Sequence, residues 1–397
     1  MRTYRQLFGV PEFTPLFVSA SLLGVGSTVS GIALASQVFS ATHSPLLAAL
    51  SMFGGSFAQA VGAVALLSAA DRLPPRAAET GLAGLAAAGA AVLAFPGLPV
   101  PATFAVLFGL GLAGSVGGGV RYGLLAELLP KEAYVLGRSA LNMSAGVTQI
   151  AGFAVGGVLV AALSPRGALL VAAALALAAA AVALGGLSSR PARAAGRPSV
   201  RETWRVNRLI LSSAPRRYVY LALWVPNGLI VGCESVLVPY APRHAGLLLA
   251  AAATGMLAGD VAVGRLVPPR RRPRLATPLL LLLAAPYLLF AVRPGLPLAV
   301  AAIMLASAGY AASLVLMERL VGLTPDDIQG QSLGLHTSGM LTLQGVGAAL
   351  AGAVAQHTSA ATAMAVMAAA SVAVSLALIP GLRAGAPAPA APGPPAP

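Results

Sequence analysis

Twelve long apolar stretches constrain this chain more than any other feature of its sequence. A helix that crosses a bilayer needs about 20 mostly apolar residues, and every one of these stretches is close to that length or longer. Only 9% of the residues are charged, whereas a soluble domain of average composition carries about 25%. The sequence therefore predicts an all-α membrane protein with twelve transmembrane helices: Thr14–Phe39, Ser44–Ala70, Ala77–Phe95, Ala102–Leu128, Arg138–Ser164, Gly167–Leu187, Tyr218–Tyr240, Ala245–Leu266, Leu275–Val292, Leu298–Leu320, Gln331–Gln356 and Ser359–Ile379.

Basic residues are spread very unevenly over the loops that join these stretches. Of the 25 lysine and arginine residues, 22 fall on one side of the predicted membrane, and only Arg166, Arg243 and Arg293 fall on the other. Because cytoplasmic loops carry the excess of basic residues, both termini are predicted to be cytoplasmic. The net charge of +14 then reflects orientation in the inner (plasma) membrane of a bacterium, and we expect no binding to nucleic acid.

Landmarks of the first half recur in the second half after a constant shift of 193 residues, which pairs Gly62 with Gly255 and Arg72 with Arg265. A constant offset implies two six-helix bundles of the same topology, related by an axis along the membrane normal. We therefore expect an N-terminal bundle over 1–187, a basic cytoplasmic linker over 188–217, a C-terminal bundle over 218–382 and a disordered Ala- and Pro-rich tail over 383–397.

The linker contains a Ser-x-x-Glu sequence, from Ser199 to Glu202, that is typical of a helix N-terminus. Val200, Trp204 and Leu209 stand among arginines in this segment. This pattern predicts a short helix that lies on the cytoplasmic face of the membrane. A solvated basic linker is the alternative interpretation.

The loop after the second predicted span reads Leu67-Ser68-Ala69-Ala70-Asp71-Arg72-Leu73-Pro74-Pro75-Arg76. Its aspartate and two arginines match the loop motif Gly-x-x-x-Asp-Arg-x-Gly-Arg-Arg of the major facilitator superfamily, while its first residue and its two prolines depart from that motif. The resemblance covers the whole chain except its tail. It implies two six-helix bundles that transport a substrate by alternating access.

The resemblance also implies a cytoplasmic gate. Asp71 would face the start of the eleventh span near Gln331, and Arg72 or Arg76 would reach Glu127. An anion at a helix N-terminus is stabilising on physical grounds as well. In the alternative interpretation, Asp71 and Arg72 are only a solvated loop pair. Three further charged residues are assigned to this predicted gate: Arg121, Asp260 and Arg265.

A glycine-rich segment of the fifth predicted span, Gly152 to Gly157, resembles the Gly-Pro-x-x-Gly-Gly signature of exporters in this family. Phe153 stands where the signature has proline. The resemblance favours export. Close packing of helices through small residues is the alternative, and three other Gly-x-x-x-Gly pairs favour it: Gly114 with Gly118, Gly255 with Gly259, and Gly330 with Gly334.

Glu234 is the most informative single residue, because it lies well inside the seventh predicted span. A count of about 1.5 Å per residue from Tyr240 places it roughly 9 Å from the outer end of that helix. A charged acid there costs at least a few kcal/mol if it faces lipid. No lysine, arginine or histidine lies at the same depth of the predicted spans. We therefore predict that Glu234 carries a coupling proton; a permanently protonated structural acid is the alternative.

Polar side chains on the predicted spans supply a candidate substrate cavity. Asn142 and Gln149 are seven residues apart and share a helix face, although each polar residue alone is also compatible with an interhelical hydrogen bond. Arg121, about 10 Å from the cytoplasmic end of its span, would snorkel to the interface or contact an anionic substrate. The candidate cavity residues are Gln37, Asn142, Gln149, Asn227, Ser235 and Tyr310.

Several classes of function are excluded. A P-loop needs a lysine after a glycine-rich run, and the single lysine, Lys131, follows none. Four aspartates are too few for the two Asp-rich metal sites of a membrane prenyltransferase. One cysteine, Cys233, excludes an internal disulfide and a cysteine metal cluster. We predict no enzyme activity, no metal and no cofactor.

The first hypothesis for the function is secondary active transport, as proton-coupled export (antiport) of small amphiphilic molecules such as drugs or secondary metabolites. The alternatives are an uptake porter for a nutrient or metabolite, and a transport-inactive membrane sensor or scaffold on the same fold. The predicted partners are a small-molecule substrate, protons and the lipid bilayer. We expect a monomer.

Overall fold

The computed structural model of this chain describes residues 4–65, 72–192, 200–268, 270–325 and 328–384. These residues form helices joined by short turns, and none of them lies in a β-strand. The first half and the linker contain α1 (Tyr4–Phe8), α2 (Phe13–Thr42), α3 (Pro45–Ala65), α4 (Pro75–Leu93), α5 (Val100–Leu128), α6 (Lys131–Gly186) and α7 (Val200–Ser212). The second half contains α8 (Ala214–Ser235), α9 (Leu237–Tyr240), α10 (Ala245–Val261), α11 (Ala276–Ala284), α12 (Leu296–Ala308), α13 (Ala312–Gly322), α14 (Gln329–His357) and α15 (Ala360–Ala384).

Ten helical segments of the described part are long and apolar enough to cross a membrane. One of them, Leu136–Gly186, is 51 residues long and contains the predicted spans Arg138–Ser164 and Gly167–Leu187. Ser164 leaves the helical region inside this segment, with φ at 83° and ψ at 163°. Pro165 follows, and a proline lacks an N–H donor and restricts the residue before it. The chain therefore turns between the two predicted spans, as the sequence indicates.

Two predicted spans are only partly matched. The span Ala77–Phe95 falls on α4, which is helical but is not among the ten candidates for crossing a membrane. The span Ser44–Ala70 falls on α3, and its last five residues lie outside the described residues. Irregular turns continue several helices of the second half: a π-turn over Ala262–Leu266 and 3-10 turns over Ala285–Val292 and Gly309–Ala311.

Within each half, a glycine at the same position of the 193-residue repeat lies at a close contact between two helices. Gly62 of α3 faces Leu112 and Ser115 of α5, and Gly255 of α10 faces Met304 of α12. A Cβ atom on Gly62 would meet the Ser115 side chain and the Leu112 carbonyl, and one on Gly255 would meet the Met304 carbonyl. This pair of the repeat therefore has the same packing role in both halves.

The three Gly-x-x-x-Gly pairs differ in role. Gly255 and Gly259 press against the backbone of α12, at Met304 and Ala308, so the expected close packing is confirmed for this pair. It is wrong for the pair on α5, because Gly118 has no atom within 4 Å of a built Cβ, and both Gly114 and Gly118 line a cavity. Gly334 also faces open space.

The two halves meet near one end of the molecule, which carries His43 and Gln356 and is called the His43 end below. The Ser44 hydroxyl donates a hydrogen bond of 2.8 Å to Gln356 Oε1 across the halves. Gly352 of α14 lies against Leu46 of α3, and Gly345 lies against Phe57 farther from that end. The opposite end carries Glu12 and Leu128 and is called the Glu12 end.

A second contact between the halves involves the glycine-rich segment of α6. The Cα atoms of Gly157 and of Gly246, the second residue of α10, are so close that a Cβ on Gly157 would lie 2.8 Å from the Gly246 Cα. Gly152 and Gly156 pack on Thr28 and Val29 of α2. The structure therefore gives these glycines a packing role, which is the alternative to the exporter signature.

The linker forms the predicted short helix, α7, whose initial Ser199 lies outside the described residues. Val206 and Ile210 are buried against the C-terminal half, whereas the Trp204 side chain is 63% exposed. The Asn207 side chain accepts a hydrogen bond of 3.0 Å from Gln331, near the start of α14. One face of α7 is thus docked on protein, and Trp204 lies on an exposed face.

Candidate functional site

A buried ion pair joins α4 and α5. Glu79 lies one turn after the start of α4, with 1% of its side chain exposed, and its Oε2 is 3.6 Å from Nη2 of Arg121. Oε1 of Glu79 and Nε of Arg121 are buried and have no hydrogen-bond partner. The structure places the Arg121 guanidinium against Glu79. Sequence reasoning missed Glu79.

Two cavities of the N-terminal half meet at Arg121. The larger, of about 540 Å³, is lined by α2, α3, α4, α5 and α6, and both Glu79 and Arg121 line it. The second, of about 410 Å³, lies between α2, α5 and α6, and Arg121 and the predicted cavity residue Gln149 line it. Both volumes fall within the range of about 300–1,000 Å³ that is usual for small-molecule sites.

Asn142, the other predicted cavity residue on α6, is tied to its neighbours. Its Oδ1 accepts a hydrogen bond of 2.9 Å from the Tyr122 hydroxyl. The Arg138 guanidinium lies over the Tyr122 ring, 5.3 Å from the ring centre. Tyr122 lines the smaller cavity and Asn142 does not. Asn142 therefore positions a cavity residue.

The C-terminal half contains a much smaller cavity, of about 20 Å³, between α8, α11, α13 and α14. The predicted residues Asn227 and Tyr310 both line it, together with His336. Asn227 Nδ2 and His336 Nδ1 are buried without a hydrogen-bond partner. The space is enough for about one water molecule, so the structure brings these polar groups together in a site too small for an amphiphilic substrate.

Glu234 lies at the C-terminal end of α8, and its side chain is half-buried. Its carboxylate makes no hydrogen bond or ion pair with any described residue, and no described basic residue acts on it. Tyr287 and Tyr310 are the tyrosines within electrostatic reach of it. The structure therefore leaves Glu234 without a cationic partner among the described residues.

Two other predicted cavity residues are used within the fold. The Gln37 side chain donates a hydrogen bond of 3.1 Å to the Leu93 carbonyl, which fixes the end of α4 to α2. Ser235 is fully buried, and its hydroxyl donates to the Gly232 carbonyl of its own helix at 2.7 Å. Neither residue lines one of the three cavities described here.

The predicted gate residues lie near the Glu12 end, in so far as they are described. Asp71 lies outside the described residues. Arg72 and Arg265 are exposed, and Arg76 is half-buried. Asp260 Oδ1 is buried without a hydrogen-bond partner, and this carboxylate lies within electrostatic reach of Tyr310.

Glu127, also assigned to the gate, belongs to an ion-pair network that the sequence did not indicate. Arg190, just after α6, forms a bidentate pair with Glu12, with both N–O distances at 2.7 Å, and its Nε is 3.8 Å from Glu127. The Ser188 backbone and hydroxyl donate to the same Glu12 carboxylate. The Arg190 hydrogen bonds lower the pKa of Glu12 to about 2. This network ties the start of α2 and the end of α5 to the chain that enters the linker.

No group of three or more His, Cys, Asp and Glu side chains among the described residues is placed to hold a metal ion. The single cysteine, Cys233, is buried and unpaired. The chemistry that the described site offers is therefore that of charges, hydrogen bonds and cavities.

The model of the Major Facilitator Superfamily matches residues 16–244, more than half of the chain. No curated protein matches the sequence. Among solved structures, a nucleoside transporter, NupG, is similar over 93% of this chain and 99% of its own, with a TM-score of 0.77 and 13% identity. A POT family transporter in complex with 5-aminolevulinic acid is similar over 95% of this chain and 99% of its own, with a TM-score of 0.75 and 11% identity. A bacterial homolog of the human lysosomal transporter Spinster, inward-facing and unoccupied, covers 96% of both chains, with a TM-score of 0.67 and 13% identity.

Proposed function

Because this chain belongs to the major facilitator superfamily, we propose that it is a proton-coupled secondary active transporter of small amphiphilic molecules. It would work by alternating access between two bundles of six helices, with twelve spans and both termini in the cytoplasm. Its location would be the inner (plasma) membrane, and its activity is transport and not catalysis.

One observation carries this proposal: the two halves come into close contact at glycines near the His43 end, whereas Glu79 and Arg121, the charged pair that lines the cavities, lie toward the Glu12 end. The contacts at Gly157 and Gly352 bring backbones together across the halves, and Arg121 lines both large cavities. With the Glu12 end in the cytoplasm, the close contacts at the His43 end would form the closed outer side of an alternating-access cycle.

Glu234 is the proposed proton carrier. A carboxylate inside a membrane bundle without a cationic partner is costly when charged, and protonation removes that cost. Among the described residues, tyrosines lie within electrostatic reach of Glu234 and no basic residue does. This environment supports the role of proton carrier.

The direction of transport has two candidates. Export by antiport rests on the resemblance of the Gly152 to Gly157 segment to the exporter signature. Close packing on Thr28, Val29 and Gly246 supplies another reason for the same glycines. Uptake by symport is the second candidate, because an anion held at Arg121, which lines both large cavities, would be balanced by a proton carried in the same direction.

The test uses purified protein in liposomes with an imposed pH step and a panel of labelled amphiphilic acids, amines and neutral compounds. A transporter accumulates at least one of them, and the direction of the driving pH step separates antiport from symport. Glu234→Gln should abolish accumulation driven by the pH step while binding is retained. Glu318→Gln, the same change at an acid that is 55% exposed, is the matched control.

No accumulation by the wild-type protein across the panel would leave the sensor or scaffold alternative in place of transport. Full accumulation by Glu234→Gln would assign Glu234 a structural role and remove it as proton carrier. Loss of binding in that variant for amines alone would make Glu234 a ligand of a cationic substrate.

A further inference from the structure

The Glu79–Arg121 pair is unusual because each partner retains unused hydrogen-bonding capacity. The two charges are 3.6 Å apart, beyond the distance of a good charge-assisted hydrogen bond. One oxygen of Glu79 and Nε of Arg121 have no partner although they are buried. A guanidinium offers five donors in a planar fork that matches a carboxylate with two bonds. Arg121 can therefore form a second, better pair with an anion that enters the cavity.

Exposure of the two side chains decides which one a ligand meets. Arg121 is 26% exposed and lines both large cavities, whereas Glu79 is 1% exposed and lines only the larger one. A molecule in the smaller cavity meets Arg121 and not Glu79. In the larger cavity both residues line the wall, and Arg121 is the more exposed of the two.

The ionisable surroundings of the pair are sparse. In α2 and α3, the segments Phe13–Thr42 and Pro45–Gly62 contain no ionisable side chain. Arg121 is the only described charged group that acts on Glu79. The remaining ionisable residues on α4, α5 and α6 whose side chains the structure describes are Arg76, Tyr122, Glu127, Tyr134, Arg138 and Arg166. Of these, Tyr122 stacks with Arg138 and Glu127 pairs with Arg190. Lys131 and Glu132, at the start of α6, have side chains that the structure does not describe.

We infer that Arg121 binds the anionic group of a carboxylate-bearing substrate, and that Glu79 releases Arg121 for this purpose by taking up a proton. This inference deepens the proposed function and rests on it for the transport step. In the exchange, the Glu79 oxygen gains a proton from water, the Glu79–Arg121 ion pair breaks, and a pair between Arg121 and the substrate carboxylate forms.

Charge balance selects an anion over a cation. The pair is neutral, and a bound anion would leave one excess negative charge in a site of low dielectric, at a cost of several kcal/mol. Protonation of Glu79 removes that excess. A bound cation would leave an excess positive charge, and arginine cannot lose its proton to remove it. Proton and anion therefore bind together, which corresponds to symport.

The binding experiment uses purified protein and three probes of the same shape: phenylacetate, phenylacetamide and phenethylamine. Wild-type affinity for phenylacetate should rise by up to about tenfold for each pH unit between pH 8 and pH 6, because one proton accompanies one anion. Glu79→Gln should bind phenylacetate at pH 8 at least as tightly as wild type does at pH 6, with no pH dependence. Arg121→Gln should lose the preference for the anion at every pH, and Arg138→Gln, the matched control, should keep it.

A second measurement needs no ligand. Phenylglyoxal modifies free arginine side chains, and mass spectrometry of the peptides reports the rate at each site. Arg121 in Glu79→Gln should react several-fold faster than in wild type at pH 8, and a carboxylate should protect it, while Arg138 reacts equally in both. Equal Arg121 rates in the two proteins would overturn the inference, because Glu79 would then not hold Arg121. Preference for phenethylamine that weakens at low pH would overturn it as well, in favour of a cation site at Glu79.

The two proposals fail separately. Proton-linked binding of phenylacetate without accumulation in liposomes retains this site and removes transport. Accumulation that is unchanged in Glu79→Gln and Arg121→Gln retains transport and removes this site.

Discussion

The halves before and after the linker differ in how tightly they are packed and in the surroundings of one acid in each, Glu79 and Glu234. In the first transmembrane helix of the N-terminal half, α2, 33% of the most apolar window is buried, against 72% for its counterpart Ala214–Tyr240 in the C-terminal half. The N-terminal half encloses the two large cavities and pairs its acid, Glu79, with Arg121. In the C-terminal half, no described basic residue pairs with Glu234, and the cavity beside Asn227 and His336 is only about 20 Å³.

This difference teaches that a repeated sequence does not require repeated chemistry. Glycine contacts such as Gly228 against Gly347 pull α8 onto α14, and they leave little space beside the helix. The corresponding space in the other half remains open around Arg121. The N-terminal half thus has space beside a charged pair, and the C-terminal half has almost none.

The largest expected effect is in reporter fusions that map the membrane topology, which the comparison of the two halves assumes. Reporter fusions at Leu98 and Gln356 should map outside the cytoplasm, and fusions at Arg197 and Arg383 inside, because the basic residues concentrate on one side. Each fusion reports an all-or-none signal. A fusion at Arg197 that maps outside would break the two-bundle assignment, and with it the comparison of the halves.

The next effect tests the difference in packing. A Cβ on Gly347 would collide with the Gly228 carbonyl, whereas one on Gly118 would meet no atom within 4 Å. Gly347→Ala should therefore lower the free energy of unfolding by about 3 kcal/mol. Gly118→Ala should raise it by about 0.5–1 kcal/mol, because alanine favours the helix. Thermal unfolding in detergent measures both, and equal shifts would contradict a tighter C-terminal half.

A third experiment compares one acid of each half at the Glu12 end. Glu12→Gln removes charge-assisted hydrogen bonds from Arg190 and Ser188 and should cost about 2 kcal/mol. Glu318→Gln removes an exposed pair with Arg272 and should cost no more than about 1 kcal/mol.

The pH dependence of the third experiment has a definite sign. The pKa of Glu12 falls from 4.5 to about 2 on folding, so its stabilisation is fully present above pH 4.5 and is lost as the pH falls through 2. The difference between wild type and Glu12→Gln should therefore close between pH 4.5 and pH 2 in chemical unfolding curves. A difference that persists at pH 2 would mean that the hydrogen bonds act without the charge.

The smallest effect is at the gate. Asp71→Asn removes the charge proposed to stabilise the start of α14, and the change should be about 0.3–1 kcal/mol. That shifts the equilibrium toward the inward-open state. Maleimide labelling from the cytoplasm at Gln149→Cys should rise about two- to fivefold, and the buried Cys233 supplies a low background. Unchanged labelling at normal expression would leave Asp71 as a loop charge.

The helices were largely predictable, because a long apolar run can only be satisfied by a helix in a bilayer and because proline marks the joints, as Pro165 does. The family, too, followed from Asp71, Arg72 and Arg76. The site was less accessible. Glu79 stands two residues inside a predicted span, where an acid looks interfacial, and only the fold shows that it meets Arg121. Glu79 lies near the start of α4 and Arg121 near the end of α5, so both lie at a similar depth on the Glu12 side of the molecule. This similar depth was the signal that the sequence contained.

Other residues could not be placed from sequence because their roles depend on distant partners. Gln37 and Ser235 have the composition of cavity residues, yet each bonds to a backbone carbonyl. Arg190 was counted only as a topological charge, and its bidentate pair joins residues that are 178 positions apart. Periodicity within one helix carries no information about such pairs.

The crossing of Gly157 and Gly246 has a mechanical consequence. Neither glycine has a side chain, so no side chains interdigitate at this contact, and the two helices can rotate against each other there. The crossing lies just before the kink of α6 at Ser164, with about 39 Å of helix between Gly157 and Lys131 at 1.5 Å per residue. A tilt of about 10° at the contact of Gly157 with Gly246 would move the Lys131 end of the helix by about 7 Å. A single methyl group at Gly157 would push α6 and α10 apart at this contact and limit that movement.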